Sequence, residues 1–265
     1  MAPRIIFIHG IGGKPEEPKY LNQWIAATKL GLKTAIPESA FGMAYWAHLR
    51  GEEAAPDVER EIVRSLPSKQ RRFLMTHGSR KARHLSFWQN ALSVLFRWTD
   101  EVFRRFLDRY IDDVYNYFYR DNRRQQIKAV LERELRAAGQ DGKIALLSHS
   151  MGTVIALDVL KDQKYPVGLF VTMGSPLGIE WIKDKLGRPD FPAHVARWLN
   201  VFDRADPVSF DQDLANDYPK DGKEVIEDRR VRDNFSDKGK RDPHHWHGYL
   251  SSDEVASALE AFWQS

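Results

Sequence analysis

Short apolar runs alternate with stretches of helical spacing in the first and last thirds of the chain. The apolar runs predict strands at residues 4–8, 42–47, 143–147, 168–173, 197–202 and 223–228. Apolar positions at helical intervals predict helices at residues 20–30, 125–138, 153–160 and 252–263. Strands that are apolar throughout and are separated by helices are typical of a mostly parallel sheet covered on both faces. The pattern therefore predicts an α/β fold with three layers.

The middle of the chain follows a different pattern, with no convincing strand between residues 57 and 122. Residues 87–119 place aromatic and aliphatic side chains at helical intervals with charged residues between them. This spacing predicts one long amphipathic helix or two in series. Such a segment is either a helical hairpin packed on the sheet or a cap whose aromatic face lines an acyl pocket or touches lipid.

Composition narrows the class of protein. A chain of 265 residues, 42% hydrophobic and 29% charged, fits one large domain or one domain with an insertion. The absence of cysteine excludes disulfides, thiolate metal sites and cysteine nucleophiles, and it fits a reducing compartment such as the cytoplasm. The N-terminus lacks the pattern of a signal peptide, and no stretch approaches the ~20 apolar residues of a membrane span.

Charge is mild overall but uneven along the chain. A formal net charge of +3 is too small to indicate a nucleic-acid partner. Residues 66–85, however, contain several lysines and arginines and no acidic residue. This segment fits a solvated surface loop, and the alternative is contact with an anionic partner or a membrane surface.

The strongest chemical signal lies where the run at residues 143–147 ends. Ser150 is followed by the predicted helix, and small residues, Ser148 and Gly152, stand two positions before and after it. This S-x-S-x-G pattern is a relaxed form of G-x-S-x-G, in which a sharp strand-to-helix turn exposes a nucleophilic serine. The alternative is an ordinary strand–helix turn without a catalytic role. The pattern predicts a nucleophile at Ser150.

A nucleophilic serine needs a base and a carboxylate that orients the base. In enzymes whose serine lies at such a strand-to-helix turn, the carboxylate follows the serine along the chain. Asp203 and Asp206 both lie just beyond the run at residues 197–202. Asp206 is the preferred candidate because a residue a few positions past a strand can turn back toward the site. The proline after it would also stiffen the loop. Asp203 is the alternative.

Three histidines before the last predicted helix are the candidates for the general base: His244, His245 and His247. One imidazole nitrogen would accept the serine proton while the other donates to the carboxylate. Histidine-rich segments also bind zinc, but no H-E-x-x-H motif or carboxylate cluster accompanies this one. The sequence favours a base over a metal ligand.

Two backbone amides are predicted to form an oxyanion hole. One is that of Met151, at the start of a helix whose dipole favours negative charge. The other is that of Ile11, in a turn where glycines at positions 10, 12 and 13 allow a close approach to substrate. A phosphate-binding loop is the rival interpretation, but the turn lacks the spacing and the G-K-[S/T] of that motif, although Lys14 follows it.

Together these motifs resemble those of the α/β-hydrolase superfamily, in particular its lipase-like serine esterases. The matching motifs are Ile-Phe-Ile-His-Gly-Ile-Gly, Leu-Ser-His-Ser-Met-Gly-Thr, Met-Gly-Ser-Pro-Leu, Asp-Arg-Ala-Asp-Pro-Val and His-x-x-x-Gly-Tyr-Leu. The resemblance extends over residues 3–50 and 125–265. It implies that Ser150 is the nucleophile, Asp206 the acid and His244 the base, with His245 as the alternative base. It also implies a compact sheet of about six strands.

The expected organisation is a single hydrolase domain over residues 1–265, with residues 55–122 as a helical cap or insertion. The resemblance implies cleavage of a small-molecule ester or an acyl lipid through an acyl-enzyme, without a metal or organic cofactor. Peripheral membrane contact through the insertion is a further hypothesis. A thioesterase or amidase on the same triad is one alternative. Another is an inactive hydrolase-shaped protein that docks a partner or membrane.

Overall fold

A parallel β-sheet is the centre of the fold in the computed structural model. The structure describes residues 2–11, 14–49, 113–114, 116–139, 143–162, 165–206, 208–209, 212–223, 225–237 and 239–265. The strands are β1 (Arg4–Ile8), β2 (Phe41–Ala44), β3 (Ile144–His149), β4 (Val167–Met173), β5 (Val195–Asp203) and β6 (Glu227–Val231). They form one sheet in the order β2-β1-β3-β4-β5-β6, and every pairing is parallel. The predicted α/β class is confirmed.

Helices cover both faces of the sheet. They are α1 (Glu17–Gly31), α2 (Asp121–Ala138), α3 (Met151–Asp162), α4 (Glu180–Lys185), α5 (Trp246–Leu250) and α6 (Asp253–Gln264). Successive side chains of a strand point to opposite faces, so Ile5 and Phe7 pack with α1, α5 and α6, whereas Ile6 and Ile8 pack with α2, α3 and α4. Burial on both faces explains why these strands read as continuous apolar runs.

Most predicted elements lie where the hydrophobic pattern places them, and the errors have a physical cause. The last strand was expected at residues 223–228, but β6 spans Glu227–Val231. It is an edge strand whose sequence, EDRRV, is mostly polar. Charged side chains at an edge discourage pairing with another chain. Because such a strand contains few apolar residues, a hydrophobicity pattern does not reveal it.

Short elements were missed altogether. Neither α4 nor α5 appears among the predicted helices, and a small antiparallel pair, β7 (Ser236–Asp237) and β8 (Lys240–Arg241), follows β6. Elements of two to six residues are too short to show a period.

The predicted cap at residues 55–122 falls largely outside the described residues, as does the basic segment at residues 66–85. At its C-terminal end, residues 113–114 and 116–119 are helical, and Val114, Tyr117 and Phe118 are buried in the core on the α2 and α3 side. This part of the predicted amphipathic helix therefore packs on the domain. Among the described helices, none is both long and apolar enough to cross a bilayer.

The sheet order creates a crevice at its carboxyl edge, the end at which the parallel strands finish. The chain runs from β1 outward to β2, then returns to β3 on the other side of β1. At such a reversal the loops after the two central strands diverge, and ligands of open α/β sheets bind there. The loop after β1 carries Gly10, and the turn after β3 carries Ser150.

Candidate active site

Ser150 lies at a tight turn between β3 and α3. Its φ of 54° falls in the left-handed region, which is costly for a residue with a Cβ. The turn is held by a hydrogen bond of 3.0 Å from the Ser150 N–H to the carbonyl of Met173 on β4. A non-glycine residue held in this conformation is typical of a nucleophile elbow.

Neighbouring glycines leave the space that this turn requires. A Cβ added at Gly152 would lie 2.6 Å from the carbonyl oxygen of Ile8, and one at Gly10 would lie 2.7 Å from the Cβ of Ser150. Position 148 accepts serine instead of glycine because the Ser148 hydroxyl donates to the carbonyl of Val171, at 2.8 Å. The small side chain is therefore buried with its hydrogen bond satisfied.

The structure brings Ser150, His244 and Asp206 into one line of hydrogen bonds. Ser150 Oγ lies 3.0 Å from His244 Nε2, and His244 Nδ1 lies 2.8 Å from Asp206 Oδ2. All three residues are buried, and they come from segments more than 35 residues apart along the chain. Because a carboxylate only accepts, the ring proton belongs on Nδ1, which leaves Nε2 able to accept the proton of the serine.

The other aspartate, Asp203, has different partners. Its Oδ1 accepts the Ala205 N–H at 2.8 Å, while its Oδ2 accepts the Asp233 N–H at 2.7 Å and a short ion pair from Arg241. These contacts connect the loops after β5 and β6 with β8. Asp203 is thus engaged by backbone and guanidinium donors, and Asp206 is the aspartate in contact with the histidine.

His245 and His247 lie away from Ser150, beside Phe235. The ring centroid of His245 is 3.7 Å from that of Phe235, and its Nδ1 caps α5 by accepting the His247 N–H. Burial lowers the pKa of His245 to about 3 and, to a smaller extent, that of His247. Within the described ranges, no group of three or more His, Cys, Asp or Glu residues could hold a metal ion.

His9 shapes the turn that follows β1. The Trp46 N–H donates to His9 Nε2 at 3.1 Å, so the ring proton lies on Nδ1, which donates to the carbonyl of Gly10 at 2.7 Å. The N–H and C=O of a trans peptide point in opposite directions, so the Ile11 N–H is directed away from the His9 ring. Burial, together with the charge of Lys14, lowers the pKa of His9 to about 3 and keeps the ring neutral.

His149, the residue before Ser150, contacts both the backbone and the ring of His244. Its Nε2 donates to the backbone carbonyl of His244 at 2.9 Å, and the two ring centroids are 4.7 Å apart. Burial lowers its pKa well below the usual value, so the ring stays neutral beside His244. His149 and His9 were not among the predicted site residues, although both lie within the motifs that resemble those of the superfamily.

Asp233 is a buried carboxyl group within the same set of loops. Its Oδ1 accepts the Phe235 N–H at 2.8 Å, whereas its Oδ2 has no hydrogen-bond partner among the residues that the structure describes. Burial, with the nearby charges of Asp242, Asp203 and Asp206, raises the pKa of Asp233 to about 7. The folded state therefore favours the protonated form near neutral pH.

Asp233→Asn is expected to change the pH dependence of stability. Unfolded aspartate has a pKa of about 3.9, so between pH 4 and 7 the native state binds one proton more than the unfolded state. The free energy of unfolding of the wild type therefore falls as pH rises through this window. The free energy of unfolding of the neutral variant, measured relative to that of the wild type, should therefore rise by about 2–3 kcal/mol from pH 5 to pH 8. Urea unfolding at both pH values measures this gain.

The exposed Asp190→Asn is the matched control, since it removes the same charge from the surface. Its unfolding free energy should follow that of the wild type at both pH values. If Asp233→Asn also followed the wild type, Asp233 would be ionised in the native protein across this range.

Comparison with known proteins gives a limited similarity. No family model matches the chain. A protein of Saccharomyces cerevisiae named as a probable mitochondrial phospholipase is 31% identical over 117 residues. The alignment covers 35% of this chain and 16% of the yeast protein, so the chain spans only a small part of that relative's length. The similarity and the parallel α/β sheet fit a hydrolase-like fold.

Proposed function

We propose that this protein is a serine hydrolase of the α/β-hydrolase superfamily that cleaves carboxylic esters, with acyl lipids as the preferred substrates. One observation carries the proposal: the continuous hydrogen bonds from Ser150 Oγ through His244 to Asp206. A serine triad is recognised by geometry and by role rather than by sequence position, and these contacts support that interpretation. The strained conformation of Ser150 supports the proposal.

In the proposed reaction, His244 Nε2 takes the hydroxyl proton of Ser150 as Oγ attacks the ester carbonyl. Asp206 stabilises the imidazolium, and the Ile11 and Met151 amides donate to the oxyanion of the tetrahedral intermediate. The intermediate collapses to the acyl-enzyme, and His244 returns the proton to the departing alcohol. Water then attacks the acyl group with His244 as base, which releases the acid and restores the serine. The scheme uses no metal or organic cofactor.

The lipid part of the proposal is supported by the yeast relative, which is named as a probable phospholipase. A triad alone does not select the leaving group, so thioesters and amides are outcomes of the test below. The cytoplasmic location expected from the lack of cysteine is a prediction, and the yeast relative is named as mitochondrial.

A fluorophosphonate probe tests the proposal, since it reacts only with a serine that a neighbouring base activates. The wild type is expected to be labelled, and Ser150→Ala and heat-unfolded wild type are expected to remain unlabelled. Hydrolysis of p-nitrophenyl esters of increasing chain length, and of a phospholipid, then compares acyl substrates. Equal labelling of wild type and Ser150→Ala would show that Ser150 is not the activated serine.

A further inference from the structure

We infer that Tyr249 is a positioning residue of the proposed esterase, which fixes the orientation and the basicity of the Asp206 carboxylate. The inference rests on the proposed function. In the sequence, Tyr249 is part of the His-x-x-x-Gly-Tyr-Leu motif that begins at His244. Its hydroxyl group has no role in the proposed reaction. It is fully buried at the carboxyl edge of the sheet, on the face covered by α1, α5 and α6.

The direction of the Tyr249 hydroxyl proton is determined by its two partners. The Asp203 N–H donates to the phenolic oxygen at 3.1 Å, so that oxygen acts there as an acceptor. Its own proton is then directed to Asp206 Oδ2, which lies 2.6 Å away. Burial raises the pKa of Tyr249 well above its usual value, which keeps the hydroxyl protonated. Tyr249 is therefore a donor to Asp206.

Asp206 Oδ2 is the same oxygen that accepts from His244 Nδ1. The other oxygen, Oδ1, accepts the Val208 N–H at 2.8 Å. Val208 therefore holds one end of the carboxylate. Tyr249 and His244 share the other end with the more distant Ser209 hydroxyl, which lies 3.4 Å from Oδ2. A second strong donor on Oδ2 draws negative charge from the oxygen, so the carboxylate holds the His244 imidazolium less tightly than it otherwise would.

The local sequence explains how the tyrosine reaches this position. Gly248 packs so closely on Asp233 that an added Cβ would lie 1.6 Å from Asp233 Oδ1. Any other residue at 248 would have to displace the Asp233 carboxyl group or α5, the helix that carries Tyr249. The five-residue helix α5 thus begins two positions after His244 and carries Tyr249, whose hydroxyl contacts Asp206.

Tyr249→Phe tests the inference, with Tyr117→Phe as the matched control. Tyr117 is also fully buried and also donates to an aspartate oxygen, Asp158 Oδ2 at 2.7 Å, but on the opposite face of the sheet. Both variants lose one phenolic hydroxyl from a carboxylate. The probes are p-nitrophenyl butyrate hydrolysis and the rate of fluorophosphonate inactivation, each followed from pH 5 to pH 9.

For Tyr249→Phe, kcat should fall about tenfold while KM changes less than about twofold, because Asp206 Oδ2 loses the donor that fixes its direction toward His244, and this contact is with the triad and not with substrate. Val208 still holds the carboxylate, and the more basic Oδ2 stabilises the imidazolium. The acid limb of both pH profiles should therefore move to higher pH by about half a unit. Tyr117→Phe should lower the melting temperature and leave kcat and both profiles unchanged.

The outcomes separate this inference from the proposed function. If the wild type shows no labelling or hydrolysis that depends on Ser150, the proposed function fails. If the wild type is active and Tyr249→Phe keeps the kcat and pH profiles of Tyr117→Phe, only the inference is overturned. A shift of the acid limb of Tyr249→Phe to lower pH would also overturn the inference. It would mean that the tyrosine makes Asp206 hold the His244 imidazolium more tightly.

Discussion

Ser150→Ala is expected to lower kcat for p-nitrophenyl butyrate by a factor on the order of 10⁵ or more, because the proposed acyl-enzyme forms on Ser150 Oγ. His244→Ala should show a loss of similar size. Members of a triad act as one unit, so the double variant should be no slower than Ser150→Ala alone. The residual rate in all three comes from binding and from the oxyanion hole.

Ser175→Ala is the control for this series. Ser175 is also buried near the carboxyl edge of the sheet, where its hydroxyl bonds to the Thr153 hydroxyl at 2.8 Å. Its loss should cost some stability and change kcat less than about tenfold, since its hydroxyl bonds to Thr153 and to the Leu177 N–H and not to a side chain of Ser150, His244 or Asp206. Steady-state rates on each purified variant, with circular dichroism to verify folding, provide the measurement. A double variant far slower than Ser150→Ala would show that His244 also acts independently of the serine.

Asp206→Asn is expected to lower kcat by about 10⁴-fold, since an amide at this position no longer holds the proton on His244 Nδ1. The ring can then adopt the other tautomer, in which Nε2 carries a proton and cannot accept that of Ser150. The side-chain volume hardly changes, so the fold should be kept. KM should change little, because Asp206 is hydrogen-bonded to the base and not to the substrate.

Asp203→Asn gives the contrasting result. Its carboxylate pairs with Arg241 and with two backbone N–H groups, so its neutralisation should lower the free energy of unfolding by about 2–3 kcal/mol. The Asp206–His244 contact does not pass through that carboxylate, and kcat should stay within about tenfold of the wild type. Urea unfolding and steady-state kinetics on both variants measure the contrast. If Asp203→Asn lost activity as strongly as Asp206→Asn, the catalytic acid would be misassigned.

Local features of the sequence were sufficient to predict most of the sheet and the turn at Ser150. Continuous apolar runs predicted β1 (Arg4–Ile8) to within a residue because a strand buried on both faces has no polar face to interrupt it. The elbow was predictable for a similar reason. Its backbone angle demands small neighbours, and the close approach of Gly152 to Ile8 is a steric requirement that the sequence displays directly.

From the sequence, Asp206 was preferred over Asp203, and the resemblance favoured His244 over His245, but the neighbouring residues of the same type stayed open as alternatives. Asp203 is the last residue of β5, and Asp206 lies three positions beyond it. The structure separates them because Arg241, which lies on β8, pairs with Asp203 and not with Asp206. In the same way, His245 stacks on Phe235, whereas His244 contacts Ser150 Oγ. These partners come from distant segments, so no local pattern predicts them.

By itself the sequence determined the α/β class, the positions of most strands along the chain and a serine at a strand–helix turn. These features depend on side-chain periodicity and on steric limits, which act over a few residues. Only the tertiary structure decided which aspartate and which histidine contact each other, and that Tyr249, His9 and His149 surround them. Hydrogen-bond partners depend on which donors occupy each buried oxygen once loops far apart in the chain have packed together.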